Sequence, residues 1–258
     1  MDWVDGLTLK NYVNEQKPSK AVFLDLAAKF LDMVKYLHSQ NIAHGDLQHG
    51  NIMVRPDGSL VLIDYDSMYI DSLNGFTDVV KGLPGYQHPA RDKNRLLNPK
   101  LDYFSELVIY LSLNIFAESP ELWDEYVDTE DLLFSMTDFI DLKQSKLYAT
   151  YCHSANPIVS RLMQELENAL GKEDINKLEP IESLLGSEPK MRPSTVGINI
   201  DNILSKMKTT PTHPAKTVIP DVDGILSKID CLMAAIETHE KLPTIDVEQI
   251  IKKFTLTI

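Results

Sequence analysis

Apolar residues recur every three or four positions over residues 21–38. The repeating positions are Val22, Leu26, Phe30, Val34 and Leu37. This spacing predicts an amphipathic helix that packs its apolar face into a core. Residues 102–116, 132–139 and 158–170 also read as helices. We therefore expect a mostly α-helical chain.

Two short apolar runs interrupt the helical pattern. Residues 52–54 and 60–63 are apolar, and the turn-forming residues Pro56, Asp57 and Gly58 lie between them. Turn formers between two such runs predict an antiparallel β-hairpin. The expected fold class is α+β, mostly helical, with this one small hairpin.

Polar residues lie at the open end of the predicted hairpin. Asn51 precedes the first run and Asp64 follows the second, so antiparallel strands would bring the two side chains together. Mg²⁺ is commonly held by one or two protein oxygens, with water and substrate phosphates filling its other positions. Asp46 lies on the loop before the hairpin, where its carboxylate is placed to accept a hydroxyl proton. This arrangement predicts phosphoryl transfer.

These residues, in this order, resemble the protein kinase family. The run His44-Gly45-Asp46-Leu47, followed by Asn51, is similar to the kinase catalytic loop. Asp64-Tyr65-Asp66 is similar to the Asp-Phe-Gly metal motif.

The resemblance continues downstream. Residues 82–89 resemble the end of a kinase activation segment, and the expected segment, residues 68–98, shows no sustained period. Residues 102–105 resemble the start of the central helix of the kinase C-lobe, and Arg192-Pro193-Ser194 matches an element near the end of that domain. The resemblance implies a kinase-like C-lobe over residues 1–207.

The resemblance also assigns roles to individual residues. It implies that Asp46 is the catalytic base, that Asn51 and Asp64 bind Mg²⁺, and that Asp102 clamps the catalytic loop. Gln48 stands where serine/threonine kinases usually carry a lysine that meets the transferring phosphate. The implied cofactors are ATP and Mg²⁺, and the implied substrate is a protein.

The first residues resemble the hinge of bacterial kinase-like proteins. By this resemblance, residues 1–6 are a hinge remnant, and the adenine ring would meet Met1, Trp3 and Val4. No glycine-rich loop, Val-Ala-x-Lys strand or matching glutamate helix is found. We therefore expect a C-lobe whose N-lobe lies upstream in a longer parent chain or on a partner chain.

The C-terminal quarter has a different pattern. Residues 208–220 are rich in proline and threonine, which predicts an extended linker. Residues 221–258 contain two apolar stretches with helical spacing, which predicts a C-terminal helical tail docked on its own lobe or on a missing partner.

Bulk properties exclude some classes. The formal net charge of -13 disfavours a nucleic-acid partner, which needs clustered Lys and Arg. No run approaches the ~18 apolar residues of a membrane span, so we expect no membrane association. Cys152 and Cys231 form neither a disulfide framework nor a metal spacing, and a reducing cytoplasm is the expected compartment.

Four positions depart from the kinase pattern. Gln48 replaces the lysine, Gly45 the usual arginine, Ala90 the glutamate of Ala-Pro-Glu, and Asp66 the glycine of the metal motif. The glutamate normally pairs with the arginine at Arg192, so the activation segment is expected to be anchored differently.

Three functions remain open. The preferred one is an ATP-dependent serine/threonine protein kinase that needs an N-lobe and is inactive, or nearly so, as this isolated chain. The second is a catalytically inactive pseudokinase that acts as a binding or regulatory module. The third is a small-molecule kinase of the aminoglycoside or choline phosphotransferase type, which residues 82–89 and Arg192-Pro193-Ser194 argue against.

Overall fold

The computed structural model describes residues 4–127 and 129–186. Helices form most of the regular secondary structure in this part, as the pattern predicts. They are α1 (Leu9–Gln16), α2 (Lys20–Ser39), α3 (Tyr103–Glu118), α4 (Trp123–Tyr126), α5 (Met136–Ile140), α6 (Lys146–Tyr151), α7 (Pro157–Leu170) and α8 (Ile181–Leu185).

One small antiparallel sheet accompanies these helices. Its strands, in spatial order, are β1 (Leu7–Thr8), β2 (Ile52–Val54) and β3 (Leu60–Leu62). Ile52 pairs with Leu62, and Val54 pairs with both Leu60 and Leu7. The sequence pattern did not predict β1, because a strand of two residues carries no period.

The turn between β2 and β3 follows from its residues. The Gly58 amide donates to the Arg55 carbonyl (2.8 Å), which closes a turn with Pro56 at its second position. Gly58 then has a φ of 77°, a left-handed conformation that glycine adopts without a steric cost. This turn sets the register that brings Asn51 opposite Ile63, whose amide donates to the Asn51 carbonyl (3.0 Å).

Helix α3 forms the centre of the core. Nearly all its residues are buried, and a helix that is apolar on all sides belongs inside a lobe rather than at its surface. Phe116 of α3 stacks on Phe23 of α2, with ring centroids 5.2 Å apart. Trp123 packs against both rings, and its indole N–H donates to Asn14 Oδ1 (2.7 Å). These contacts fix α2 against α3.

Helix boundaries follow the local capping residues. Ser19 caps α2 by accepting a hydrogen bond from the Val22 amide. Asn156 caps α7, and Pro157 takes the first helical position, where the missing N–H costs nothing.

The helix predicted over residues 132–139 is wrong in its first half. Leu132, Leu133 and Phe134 are buried but not helical, and α5 begins only at Met136. Ser135 explains the start, because its amide donates to the Asp138 carboxylate (2.9 Å), as in a capping box. This apolar run is therefore buried in the core, although it does not form the helix that its pattern predicted.

The 68–98 segment contains no α-helix and no strand longer than an isolated bridge. Short 3-10 turns occur at Asp71–Leu73, Pro84–Tyr86 and Pro89–Lys93. The lack of a hydrophobic period in this segment therefore agrees with its irregular backbone.

Some predictions fall outside the described residues. These are the linker at 208–220, the tail at 221–258, Arg192-Pro193-Ser194, Met1 and Trp3. Within the described ranges, no helix combines the length and apolar character that crossing a membrane requires.

A partly buried ionic cluster ties the end of α2 to α3 and α8. The His38 imidazole bonds Glu106 Oε1 through Nε2 (2.8 Å) and Glu182 Oε1 through Nδ1 (2.9 Å). Burial alone would lower the pKa of His38, but these two carboxylates raise it to about 9. Burial raises the pKa of Glu106 to about 7, against the opposing influence of His38. The Tyr103 ring edge covers the imidazole at 5.0 Å.

Replacing His38 by Gln is expected to lower the free energy of unfolding by about 2 kcal/mol at pH 6.5. The folded pKa of His38 lies above its unfolded value, so its contribution is complete below about pH 6.5 and disappears as pH rises through about 9. The raised pKa of Glu106 also lowers the free energy of unfolding as pH rises, in the lower window between its ordinary pKa and about 7.

Urea titrations of the wild type and of His38→Gln at pH 6.5 and 9.5 measure this effect. The exposed His153 supplies the control His153→Gln, which should match the wild type at both pH values. A His38→Gln difference that stays constant or grows towards pH 9.5 would contradict the proposed charge pairing.

Candidate active site

The loop that carries Asp46 is attached to the hairpin through His44. This imidazole is fully buried, and its Nε2 bonds the Ile63 carbonyl (2.8 Å) next to Asp64. The Tyr65 ring packs against it, with centroids 5.7 Å apart. His44 is therefore a packing residue that keeps the loop close to Asp64.

Asp102 holds the same loop through its backbone amides. Its carboxylate accepts hydrogen bonds from the His44 amide and, at 2.9 Å, from the Gly45 amide. The side chain is fully buried, and burial raises its pKa while these hydrogen bonds oppose the shift. The clamp that the resemblance implied for Asp102 is present in the structure.

Asp46 is half-buried, and three donors face its carboxylate. Gln48 Nε2 lies 3.3 Å and Asn51 Nδ2 lies 3.4 Å from Oδ2, while the Leu83 amide lies 3.3 Å from Oδ1. The bonds are long, so they orient the carboxylate without saturating it. Asp46, Gln48 and Asn51, all predicted as site residues, thus form one cluster.

Asn51 is held so that one side-chain atom stays available. Its Nδ2 donates to the Asp46 carbonyl (2.9 Å), which fixes the amide orientation. Among the described residues, no donor bonds its Oδ1. An oxygen presented in this way suits a hard cation such as Mg²⁺.

Asp64 lies just beyond the end of β3 and is exposed. Its φ of 65° is unusual for a residue other than glycine, and such strain is concentrated at functional sites. No described residue hydrogen-bonds its carboxylate. An amide oxygen and a carboxylate are each the type of ligand that Mg²⁺ prefers. No group of three or more His, Cys, Asp or Glu capable of holding a metal occurs in the described ranges.

The predicted adenine-contacting residues are described only in part. Val4 is half-buried, whereas Met1 and Trp3 lie outside the described residues. The geometry thus brings together Asp46, Gln48 and Asn51, and Val4 is the one predicted adenine contact within the described residues.

At Gly82, the 68–98 segment packs directly onto the cluster of Asp46, Gln48 and Asn51. Gly82 has a φ of 74°, and a Cβ there would lie 2.6 Å from Asp46 Oδ1 and 2.8 Å from Gln87 Nε2. Only glycine fits both the conformation and the space. The segment backbone can therefore approach the Asp46 carboxylate directly.

A second contact joins the segment to the loop. The Tyr86 hydroxyl and His49 Nδ1 are hydrogen-bonded inside the core. Burial lowers the pKa of His49 to about 4, so at neutral pH its imidazole is uncharged and can accept a hydrogen bond from the Tyr86 hydroxyl. Burial also raises the pKa of the Tyr86 phenol well above its usual value.

Comparison with known proteins agrees with this geometry. The family model described as "Protein kinase domain" matches residues 1–205, most of the chain. The chain belongs to the protein kinase family. This family uses ATP and Mg²⁺ for phosphoryl transfer.

Individual kinases match over shorter lengths. Serine/threonine-protein kinase nekl-2 of Caenorhabditis elegans is 25% identical over 229 residues, 84% of this chain and 58% of that protein. Serine/threonine-protein kinase PknA of Nostoc sp. is 34% identical over 94 residues, 33% of this chain and 17% of that protein. Serine/threonine-protein kinase ppk6 of Schizosaccharomyces pombe is 29% identical over 133 residues, 52% of this chain and 16% of that protein. The chain thus spans only part of each relative.

The glycine at position 45 of this kinase has a steric reason. Its φ is 84°, and a Cβ there would overlap the Ser67 carbonyl oxygen. The arginine that kinases usually carry at this position cannot be accommodated with this backbone.

Sequence reasoning missed a buried arginine that contacts the Gly45 backbone. Arg91 is buried in the 68–98 segment and bonds the equally buried Asp78, Gln87 and the Gly45 carbonyl. Asp78 and Arg91 are 13 residues apart, a spacing that indicates no contact in an irregular segment. The available signal was indirect: Ala90 removed the usual anchor, which required another one nearby.

Proposed function

We propose that this chain is the catalytic lobe of a serine/threonine protein kinase that transfers the γ-phosphoryl group of ATP to a protein hydroxyl. The observation that carries the proposal is the hydrogen-bonded cluster of Asp46 and Asn51, joined through the Asn51–Ile63 backbone bond to Asp64. The proposal extends to a bacterial kinase-like protein that works in the cytoplasm, without nucleic acid or membrane as partner.

Asp46 is the proposed general base. Its carboxylate would accept the proton of a serine or threonine hydroxyl as that oxygen attacks the phosphoryl group. The Gln48, Asn51 and Leu83 donors support this role because they fix the direction of the carboxylate. Positioning of this kind contributes a large share of catalysis in phosphoryl transfer.

Asn51 Oδ1 and the Asp64 carboxylate are the proposed ligands of Mg²⁺, which supplies neutralisation of phosphate charge when bound. The nitrogen of the Asn51 amide is already used by Asp46, so the two residues act as a unit. Loss of either ligand should weaken nucleotide binding as well as transfer.

By resemblance, Met1, Trp3 and Val4 would contact the adenine ring. An N-lobe encoded upstream or on a partner chain would cover the phosphates. The partial coverage of the relatives supports an arrangement that includes further protein sequence.

The strongest competing function is a pseudokinase, a binding module without transfer activity. Gln48 favours it, because a neutral amide 3.3 Å from Asp46 replaces the lysine that would meet the phosphate. A small-molecule kinase is less consistent with a segment packed against Asp46 at Gly82 and Leu83.

The proposal is tested with the full-length natural protein that contains this chain. We expect Mg²⁺-dependent transfer of label from [γ-³²P]ATP to serine or threonine, and a loss of at least about 100-fold in Asp64→Asn. Binding of a fluorescent ATP analogue should become much less dependent on Mg²⁺ in the same variant.

Asp32→Asn is the matched control. Asp32 is an exposed carboxylate on α2, outside the segment that resembles the metal motif. Its activity should stay within about threefold of the wild type. Wild-type protein that binds nucleotide but transfers no label would favour the pseudokinase, and labelled small molecules without phosphoserine or phosphothreonine would favour the third function.

A further inference from the structure

Arg91 is a buried cation in the middle of the activation segment. Its residue is 1% exposed, and its charge is met by Asp78, whose side chain is fully buried. The guanidinium binds the carboxylate through two bonds, Nε to Oδ2 at 2.9 Å and Nη2 to Oδ1 at 3.2 Å. A planar fork of this kind fixes direction as well as distance.

The other donors of Arg91 connect three further parts of the lobe. Nη1 donates to Gln87 Oε1 (2.8 Å) and to the Leu101 carbonyl (3.0 Å), and Nη2 donates to the Gly45 carbonyl (3.0 Å). One side chain thereby joins residues 78 and 87 of the segment, the approach to α3 and the catalytic loop.

Asp78 is held as an anion. Its Oδ2 also accepts from Lys81 Nζ (3.0 Å) and Asn94 Nδ2 (3.1 Å). Burial would raise the pKa of Asp78, but Arg91, Lys81 and Asn94 together lower it. A buried pair that keeps full hydrogen bonding is costly to break from one side only.

The pair acts on the residue directly before the proposed base. The Gly45 amide is held by Asp102 at 2.9 Å and its carbonyl by Arg91 at 3.0 Å. Both the amide and the carbonyl of Gly45 are therefore held in place, and Asp46 is the next residue. On the other side of Asp46, the Leu83 amide belongs to the same segment that Arg91 ties down.

We propose that Asp78 and Arg91 are positioning residues for Asp46, and that their buried ion pair orders the activation segment without phosphorylation. The proposal rests on the proposed function for its catalytic consequence. Gly45 leaves the catalytic loop without the arginine that kinases usually carry there. Arg91 provides a cation at this point from within the activation segment, through its bond to the Gly45 carbonyl. The segment hydroxyls Ser72 and Thr77 are exposed and take no part in this contact.

The first test compares kinetics of the full-length protein after phosphatase treatment. Arg91→Gln and Asp78→Asn should each lower kcat by about 10- to 100-fold, with KM for ATP within about twofold, because the base is displaced while the nucleotide contacts remain. Arg91→Lys should rescue little, because an ammonium cannot reproduce the forked contacts.

Arg95→Gln is the matched control, with the same substitution at an exposed arginine of the same segment. Its kcat should equal that of the wild type. The double variant Ser72→Ala/Thr77→Ala should also keep wild-type activity. Activity that disappears with phosphatase and returns only on phosphorylation would overturn the proposal.

A second test does not depend on activity. Amide hydrogen exchange should rise in residues 44–47 and 82–87 of Asp78→Asn, while the amides of α2 keep their protection and show that the lobe remains folded. Unchanged exchange in both stretches would overturn the anchor. A wild type that transfers no phosphate but shows this exchange pattern would instead refute the proposed function and leave the ordering role of the pair supported.

Discussion

Replacing Asp46 by asparagine is expected to reduce phosphoryl transfer by the full-length protein about 1,000-fold. An amide has the shape of the carboxylate but cannot accept the hydroxyl proton. Gln48 Nε2, Asn51 Nδ2 and the Leu83 amide would still surround the side chain, so the local fold should persist. The measurement is the initial rate of label transfer from [γ-³²P]ATP, with kcat and KM determined separately.

The expected loss is confined to kcat, because Asp46 meets the acceptor hydroxyl and not the nucleotide. Asp92→Asn provides a control with the same chemical change at an exposed position of the activation segment. Equal labelling of the wild type and Asp46→Asn would exclude Asp46 as the base.

Replacing Asp102 by alanine is expected to lower the free energy of unfolding by about 3 kcal/mol. The amides of His44 and Gly45 would both lose their acceptor inside the core, and no other described residue bonds them there. The loss of stability is partly offset, because the variant no longer has to bury a carboxylate whose pKa is raised by burial. Urea titration of the 258-residue chain, followed by circular dichroism, measures the change.

Two further variants define the origin of this loss. Asp102→Asn keeps one side-chain oxygen and should lose about half as much stability. Asp32→Ala, at an exposed position of α2, should change stability by less than about 0.5 kcal/mol. An Asp102→Ala variant as stable as the Asp32→Ala control would show that the clamp contributes nothing to the fold.

Features with a repeating pattern were predictable from the sequence. The 3.6-residue period of α2 gave its extent to within one residue at each end, because a long one-sided apolar stripe has few alternatives. The apolar run that begins α3 indicated a helix, and its burial on all sides explains why it showed no polar face. The turn at Pro56 and Gly58 likewise follows from local chemistry.

Contacts between irregular segments were not predictable. Arg91 and Asp78 lie in a stretch without period, and only the folded backbone brings them together. The bond between His49 and Tyr86 has the same character. The helix predicted for residues 132–134 was wrong for another reason. Their apolar side chains are buried by tertiary packing without forming a helix.

The absence of space beside Gly45 limits which residues position 45 can carry. An arginine there would collide with the Ser67 backbone unless that backbone moves. Control of this loop by a phosphate paired with an arginine at position 45 would therefore need accompanying changes around residue 67.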